Sequence, residues 1–254
     1  MPKTILFAML TLALGCSPAP GDSASETATS DGSTASETDA ETATETDTAG
    51  IDGAWVDGEP EDHGIDPHAL EALHDYAFRP EFNTQSVLVI RDGRMIAEWY
   101  APDRGPEDWA TSWSMAKSFS STLLGIAMHE GLLTSLDEPM TTYIPEWTGS
   151  GREAITLRHV LSMSTGFEWG ESRDDLTDLL EMAVRGDQLA FALEQELVDA
   201  PGEVWNYSSG TSMLLSRVIE EVTGMQAEQY AQLKLAEPLG FDRYEWWVDG
   251  AGTR

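Results

Sequence analysis

From residue 66 onward apolar residues recur first at helical and then at strand spacing, and the changes of period divide the chain into elements. Asp66-Pro67 reads as an N-cap followed by proline at the first helical position, opening a helix through Leu70, Leu73 and Ala77. Two apolar or β-branched runs, Ser86 to Ile90 and Arg94 to Tyr100, flank Arg91-Asp92-Gly93, the turn chemistry of a tight hairpin. The next helix enters from a loop near Ser114 and runs through Met115, Ala116, Phe119, Leu123, Leu124, Ile126, Ala127 and Met128 to about Glu130, with Gly131 as its stop. Those residues leave almost no polar face, which predicts a helix surrounded by protein on most sides.

Thr156 caps a short helix from Leu157 to Ser164, ending before Gly166. Further helices are expected at Asp175 to Val184, Gln188 to Leu197, Ser209 to Val222 and Gln226 to Leu235, with Gly224 as a stop. Glu237-Pro238-Leu239-Gly240 then turns into a strand from Tyr244 to Val248. Strands first, a helical block, and a returning strand predict an α+β fold, an antiparallel sheet flanked by helices with a helical lobe, rather than a βαβ alternation.

The pattern before residue 51 is of another kind. Residues 1–16 carry Lys3, an apolar run from Ile5 to Leu14, and Gly15-Cys16. A run of ten is half of the ~20 residues that span a bilayer, so the stretch predicts a secretion signal. The small residue before Cys16 resembles a bacterial lipoprotein cleavage site, where the cysteine becomes the lipidated first residue. A plain signal peptide cut nearby also yields an exported protein. Residues 17–50 are almost wholly Ser, Thr, Ala, Asp, Glu, Gly and Pro, with eight acidic residues and no basic one, which predicts an extended tether without a core. The domain proper is then 51–254, exported and held at the bacterial cell envelope by the anchor, or otherwise periplasmic or secreted.

Charge and cysteine content remove several classes. A net charge of −31 with 14 basic residues argues against nucleic acid or an anionic membrane surface as partner, leaving the N-terminal lipid as the one membrane contact. Cys16 is the sole cysteine, so no intrachain disulfide forms, and the five histidines show no metal-ligand spacing. No cofactor or metal is expected.

Candidate chemistry starts from Lys117. Beyond Lys3 the chain has only Lys117 and Lys234, and Lys117 stands in the most apolar helix. Three positions apart on a helix, Ser114 and Lys117 project as neighbours, with the serine near the end where free N–H groups favour an oxyanion. A serine hydroxyl needs a base, and a lysine that desolvation keeps partly neutral is one. The same residues also fit a helix cap at Ser114 and a Lys117 that reaches the surface. A second stretch, Pro201-Gly-Glu-Val-Trp-Asn-Tyr207-Ser-Ser-Gly210, puts Tyr207 on a loop before a helix, where it either packs or shuttles a proton.

Ser114-Met-Ala-Lys117 followed by Pro-Gly-x-x-Trp-x-Tyr207-Ser-Ser resembles the serine hydrolases related to class C β-lactamases and DD-peptidases, and within them the esterase and 6-aminohexanoate-oligomer hydrolase branch. The resemblance extends over Leu157-Arg-His-Val-Leu-Ser-Met-Ser-Thr-Gly166-Phe, Val218-Ile-Glu-Glu-Val-Thr-Gly224 and Glu237-Pro-Leu-Gly240-Phe. It implies Ser114 as the acylated nucleophile, Lys117 as its base partner, Tyr207 as the shuttle, and small esters, amides or peptides as substrates. Ser209 and the tryptophans Trp113, Trp169 and Trp205 are the expected substrate-binding positions.

Two departures qualify it. Where such β-lactamases have Tyr-x-Asn this chain has Tyr207-Ser208-Ser209, which favours esters or other amides over β-lactams. No Lys-Thr-Gly or His-x-Gly follows Tyr207, so a truncated domain lacking C-terminal strands and the second oxyanion donor is expected, and the form as written is expected to be inactive if those strands complete the site. The competing readings are a module that binds or senses peptidoglycan peptides or β-lactams without turnover, and an inactive fragment.

Overall fold

The computed structural model describes residues 55–241 and 243–253; the leader, the proposed lipidation at Cys16 and the tether of 17–50 lie outside the described residues. Helix α1 (Pro67–Ala77) opens as its sequence dictates, with the Asp66 carboxylate accepting the His68 N–H at 2.9 Å and Pro67 in the first turn. Strands β2 (Ser86–Arg91) and β3 (Arg94–Tyr100) form the antiparallel hairpin, closed by Asp92 and Gly93 at positive φ. A two-residue strand, β1 (Val56–Asp57), pairs parallel to β3, so the described sheet has the order β1-β3-β2 and is mixed. The His74 ring of α1 meets Trp99 of β3 edge-on at 5.3 Å, laying that helix against the sheet.

The helical lobe is the larger body. Helix α2 (Met115–His129) ends where Gly131 turns at φ 76°, and α6 (Ser209–Thr223) ends at Gly224 with φ 70°. Leu123, Leu124 and Ala127 of α2 share one core with Leu214, Leu215, Val218 and Ile219 of α6 and with Ile144, Trp147, Ile155 and Leu157. Helix α3 (Leu157–Leu161) is capped by Thr156 in a box closed by His159. Helices α4 (Thr177–Val184) and α5 (Gln188–Leu193) and α7 (Ala227–Ala231), which continues into a π-helical turn, complete the lobe. Tyr230 of α7 is buried and donates to Glu130 Oε2 at 2.9 Å, tying α7 to the end of α2; burial and then the Glu130 carboxylate push its phenol up to about 12.

Two expectations are corrected. Helix α2 is not enclosed on most sides: Met115, Ala116, Ser118, Ser121, Thr122, Gly125 and His129 are exposed. Its hydroxyls return to the helix itself, Thr122 Oγ1 donating to the Ser118 carbonyl at 2.8 Å and Ser121 Oγ to the same carbonyl at 2.9 Å, so that face is satisfied without neighbours. The stretch from Tyr244 to Val248 is not a strand, because no described strand runs beside it to supply a ladder. Instead Tyr244 Oη donates to Gln232 Oε1 and Trp246 packs on the main core. Among the described residues no helix is long and apolar enough to cross a membrane.

Candidate active site

Three backbone bonds wind the chain into α2: Met115 N–H to the Ser112 carbonyl, Ala116 N–H to Trp113 and Lys117 N–H to Ser114, at 3.0 to 3.1 Å. The tight turn puts Ser114 and Lys117 on one side, with Lys117 Nζ 3.3 Å from Ser114 Oγ. Trp113 holds a positive φ of 48°, an uncommon conformation for a bulky residue that costs on the order of 1–3 kcal/mol and is found where a side chain must be aimed. The Ser114 side chain caps nothing, and its backbone N–H has no hydrogen-bond partner among the described residues.

The opposite side of the site is the loop before α6. Asn206 pins it, donating from Nδ2 to the Trp169 carbonyl at 3.1 Å while its own N–H bonds the Met163 carbonyl. Tyr207 follows, and its Oη donates to Ser114 Oγ at 2.5 Å. The Lys117 Nζ lies 4.9 Å from the centroid of the same phenol ring. Ser208 caps α6 through the Thr211 N–H, which leaves Ser209 as the first residue of the helix, pointing into the site.

The structure thus brings Ser114, Lys117, Tyr207 and Ser209 together. Ser209 is only 5 % exposed and its hydroxyl is occupied: it receives from Lys117 Nζ at 2.9 Å and donates to Glu171 Oε1 at 2.8 Å. Of the tryptophans, Trp205 is 67 % exposed and tilts over Tyr207 with ring centroids 6.3 Å apart, and Trp113 is half-buried beside the nucleophile. Trp169 does not line an open wall. It is buried with Leu179 and Met182, its ring lies over Gly210, where a Cβ would stand 2.5 Å from the indole, and its Nε1 donates to Glu171 Oε2 at 2.8 Å.

Glu171 is the site residue that motif reading passes over. The loop carrying it is fixed by Gly166, whose φ of 84° and close approach to the Asp199 carbonyl exclude any side chain. The glycines on either side of Trp169, in Gly166-Phe-Glu-Trp-Gly170-Glu171, were the signal available, since they mark a backbone pressed against something else. Chemically, the assembly offers a hydroxyl with two proton-transfer partners within one hydrogen bond of it, and a free N–H beside it.

A family model described as Beta-lactamase matches residues 77–254. A 6-aminohexanoate-dimer hydrolase of Paenarthrobacter ureafaciens is 26 % identical over 172 residues, covering 63 % of this chain and 43 % of its own length. A beta-lactamase of Yersinia enterocolitica is 24 % identical over 182 residues, covering 72 % and 42 %. A solved structure from Bacillus anthracis, provisionally described as a 6-aminohexanoate-dimer hydrolase, superposes with a TM-score of 0.54 at 19 % identity, covering 65 % of this chain and 46 % of that one. The likeness to that structure is one of fold. This chain spans less than half the length of each of these relatives.

Proposed function

The chain belongs to the beta-lactamase family, and from that premise we propose that it is an exported serine hydrolase that cleaves small esters or amides through an acyl-enzyme on Ser114. The convergence of Tyr207 Oη and Lys117 Nζ on Ser114 Oγ carries the reading. In this mechanism Ser114 Oγ attacks the carbonyl carbon while its proton passes to the neutral amine of Lys117, and the Tyr207 phenol, hydrogen-bonded to Ser114 Oγ, hands its own proton to the leaving group and regains one from Lys117. The carbon–oxygen or carbon–nitrogen bond of the substrate breaks as the leaving group takes up that phenol proton, and water then hydrolyses the Ser114 ester. The Ser114 N–H donates to the developing oxyanion, a contribution of about 3 kcal/mol for a preorganised donor.

Ser209 supports the choice of substrate class. Its N–H and its hydroxyl proton are both committed to Glu171, so it has no donor left to pair with the amide of a β-lactam. This supports ordinary esters and linear amides, in keeping with the hydrolase of 6-aminohexanoate dimers among the relatives. Export by the leader of residues 1–16, with lipid on Cys16, belongs to the same proposal, and loss of palmitate labelling on Cys16→Ser tests that part.

The decisive experiment is intact mass after exposure to a fluorophosphonate and to an activated ester, comparing the full chain with Ser114→Ala. One adduct, absent from the variant and accompanied by ester turnover, is expected. A folded chain that takes no adduct overturns the hydrolase reading.

A further inference from the structure

Glu171 closes a line of hydrogen bonds that ends on the proposed base. Its Oε1 accepts the Ser209 hydroxyl proton at 2.8 Å, and its Oε2 accepts the Ser209 N–H at 2.6 Å and the Trp169 Nε1–H at 2.8 Å. A serine hydroxyl has one proton and two lone pairs. With that proton given to Glu171, what Ser209 Oγ presents to Lys117, 2.9 Å away, is a lone pair, and only a donor suits it. The polarity of the Ser209 hydroxyl is therefore set from outside, and Lys117 Nζ is held by it while lying 3.3 Å from Ser114 Oγ.

Two further features support a built arrangement. The carboxylate is held by the indole two residues back in its own loop and by the first N–H of α6, so it has little freedom to leave. Ser209 itself is buried, which removes water as a substitute partner for its hydroxyl.

We propose that Glu171 is a positioning residue for the acylation of Ser114: by fixing the direction of the Ser209 hydroxyl it orients Lys117 toward the nucleophile. The proposal rests on the Ser114 hydrolase reading above. Exchanging the carboxylate for an amide reverses the arrangement. The amide oxygen is required by the two N–H donors, so its NH₂ faces Ser209 Oγ and donates to it. The serine proton then points at Lys117 and the acceptor is gone.

The test measures fluorophosphonate labelling rates by intact mass, and kcat and KM for an activated ester, on the full chain as wild type, Glu171→Gln, Ser209→Ala and the double variant. Glu171→Gln is expected to slow acylation about ten- to a hundredfold, the worth of one hydrogen bond to a charged group, with KM within about twofold. Ser209→Ala is expected to lose as much while leaving the bonds of Glu171 to the Ser209 N–H and to Trp169 intact. Because Glu171 acts through Ser209, the double variant is expected to be no slower than Ser209→Ala alone. A carboxylate that merely caps α6 would lower the melting temperature and give additive losses, and that result overturns the proposal. Labelling of either single variant at the wild-type rate overturns it too, with the Ser114 reading left standing. A wild type without a Ser114 adduct removes the hydrolase reading and this proposal together.

Discussion

Tyr207 Oη donates to Ser114 Oγ across 2.5 Å although 93 positions separate the two residues in the chain. Neither element would reach the other alone: the turn at Trp113 delivers the serine, and Asn206, bonded to the 167–169 backbone, delivers the tyrosine. Removing only the oxygen isolates its part. Tyr207→Phe keeps the ring that meets Trp205 and lies under Lys117, so the melting temperature is expected to stay close to wild type. Ester turnover is expected to fall about 10²- to 10⁴-fold, the range of a general acid or base. Unchanged turnover would leave the phenol no part in proton transfer.

Lys117→Arg separates charge from basicity. The guanidinium stays protonated at every working pH and takes no proton from Ser114, yet it keeps N–H donors for the Ser209 oxygen and a head group beside the Tyr207 ring. Acylation is expected to drop at least about a thousandfold, read as loss of the burst with a chromogenic ester. A burst rate above about a tenth of wild type would mean that something other than Lys117 accepts the serine proton.

Acid stability turns on a carboxylate away from the site. Glu138 accepts from the Thr134 hydroxyl, the Thr134 and Ser135 N–H groups and the buried Tyr143 hydroxyl, closing the loop after α2. Those bonds, Thr134 first and Tyr143 next, hold its carboxyl below the usual 4.5. Since the folded value lies below the unfolded one, the stabilisation is present above pH 4.5 and is lost as pH falls through the depressed folded value. Glu138→Gln is therefore expected to be less stable than wild type at pH 7, with the difference shrinking below pH 4.5, as urea melts at pH 7, 5 and 3 would read. A gap that does not change with pH would assign the effect to packing.

What the sequence revealed was local or carried by contiguous motifs. The Asp66 cap, the Asp92-Gly93 hairpin and the Thr156 cap depend on residues a few positions apart, and all three are present, although the helix that Thr156 opens ends at Leu161, short of the expected Ser164. Ser114 and Lys117 were legible because a helix fixes their spacing, and Tyr207 because its motif is continuous. The exposed face of α2 was not, since its apolar positions outweigh Ser121 and Thr122, whose hydroxyls are satisfied by the Ser118 carbonyl of their own helix. Strand β1 is two residues long and exists only through its pairing with Arg94 and Met95. Glu171 reaches Ser209 only because Gly166 lets its loop close on the Asp199 backbone and Gly210 lets the start of α6 close on Trp169, a relation that no spacing in the sequence encodes.

Gly210→Ala tests that closure. In a buried helix position alanine is favoured over glycine by roughly 1 kcal/mol of propensity. Against this, its Cβ would stand 2.5 Å from the Trp169 ring, 2.7 and 3.0 Å from two more of its atoms, and the ring is itself walled in by Leu179 and Met182. Overpacking of this kind costs about 1–3 kcal/mol, and the contact lies well inside any tolerated distance, so the clash wins. A fall in melting temperature of several degrees is expected, at about 2–4 °C per kcal/mol for a chain of this size. The indole that must move also anchors Glu171, so acylation at Ser114 is expected to slow in the same protein even at temperatures where it remains folded. A variant that is less stable but labels at the wild-type rate would show that Glu171 holds its place without Trp169; one as stable as wild type would show that the indole yields at no cost.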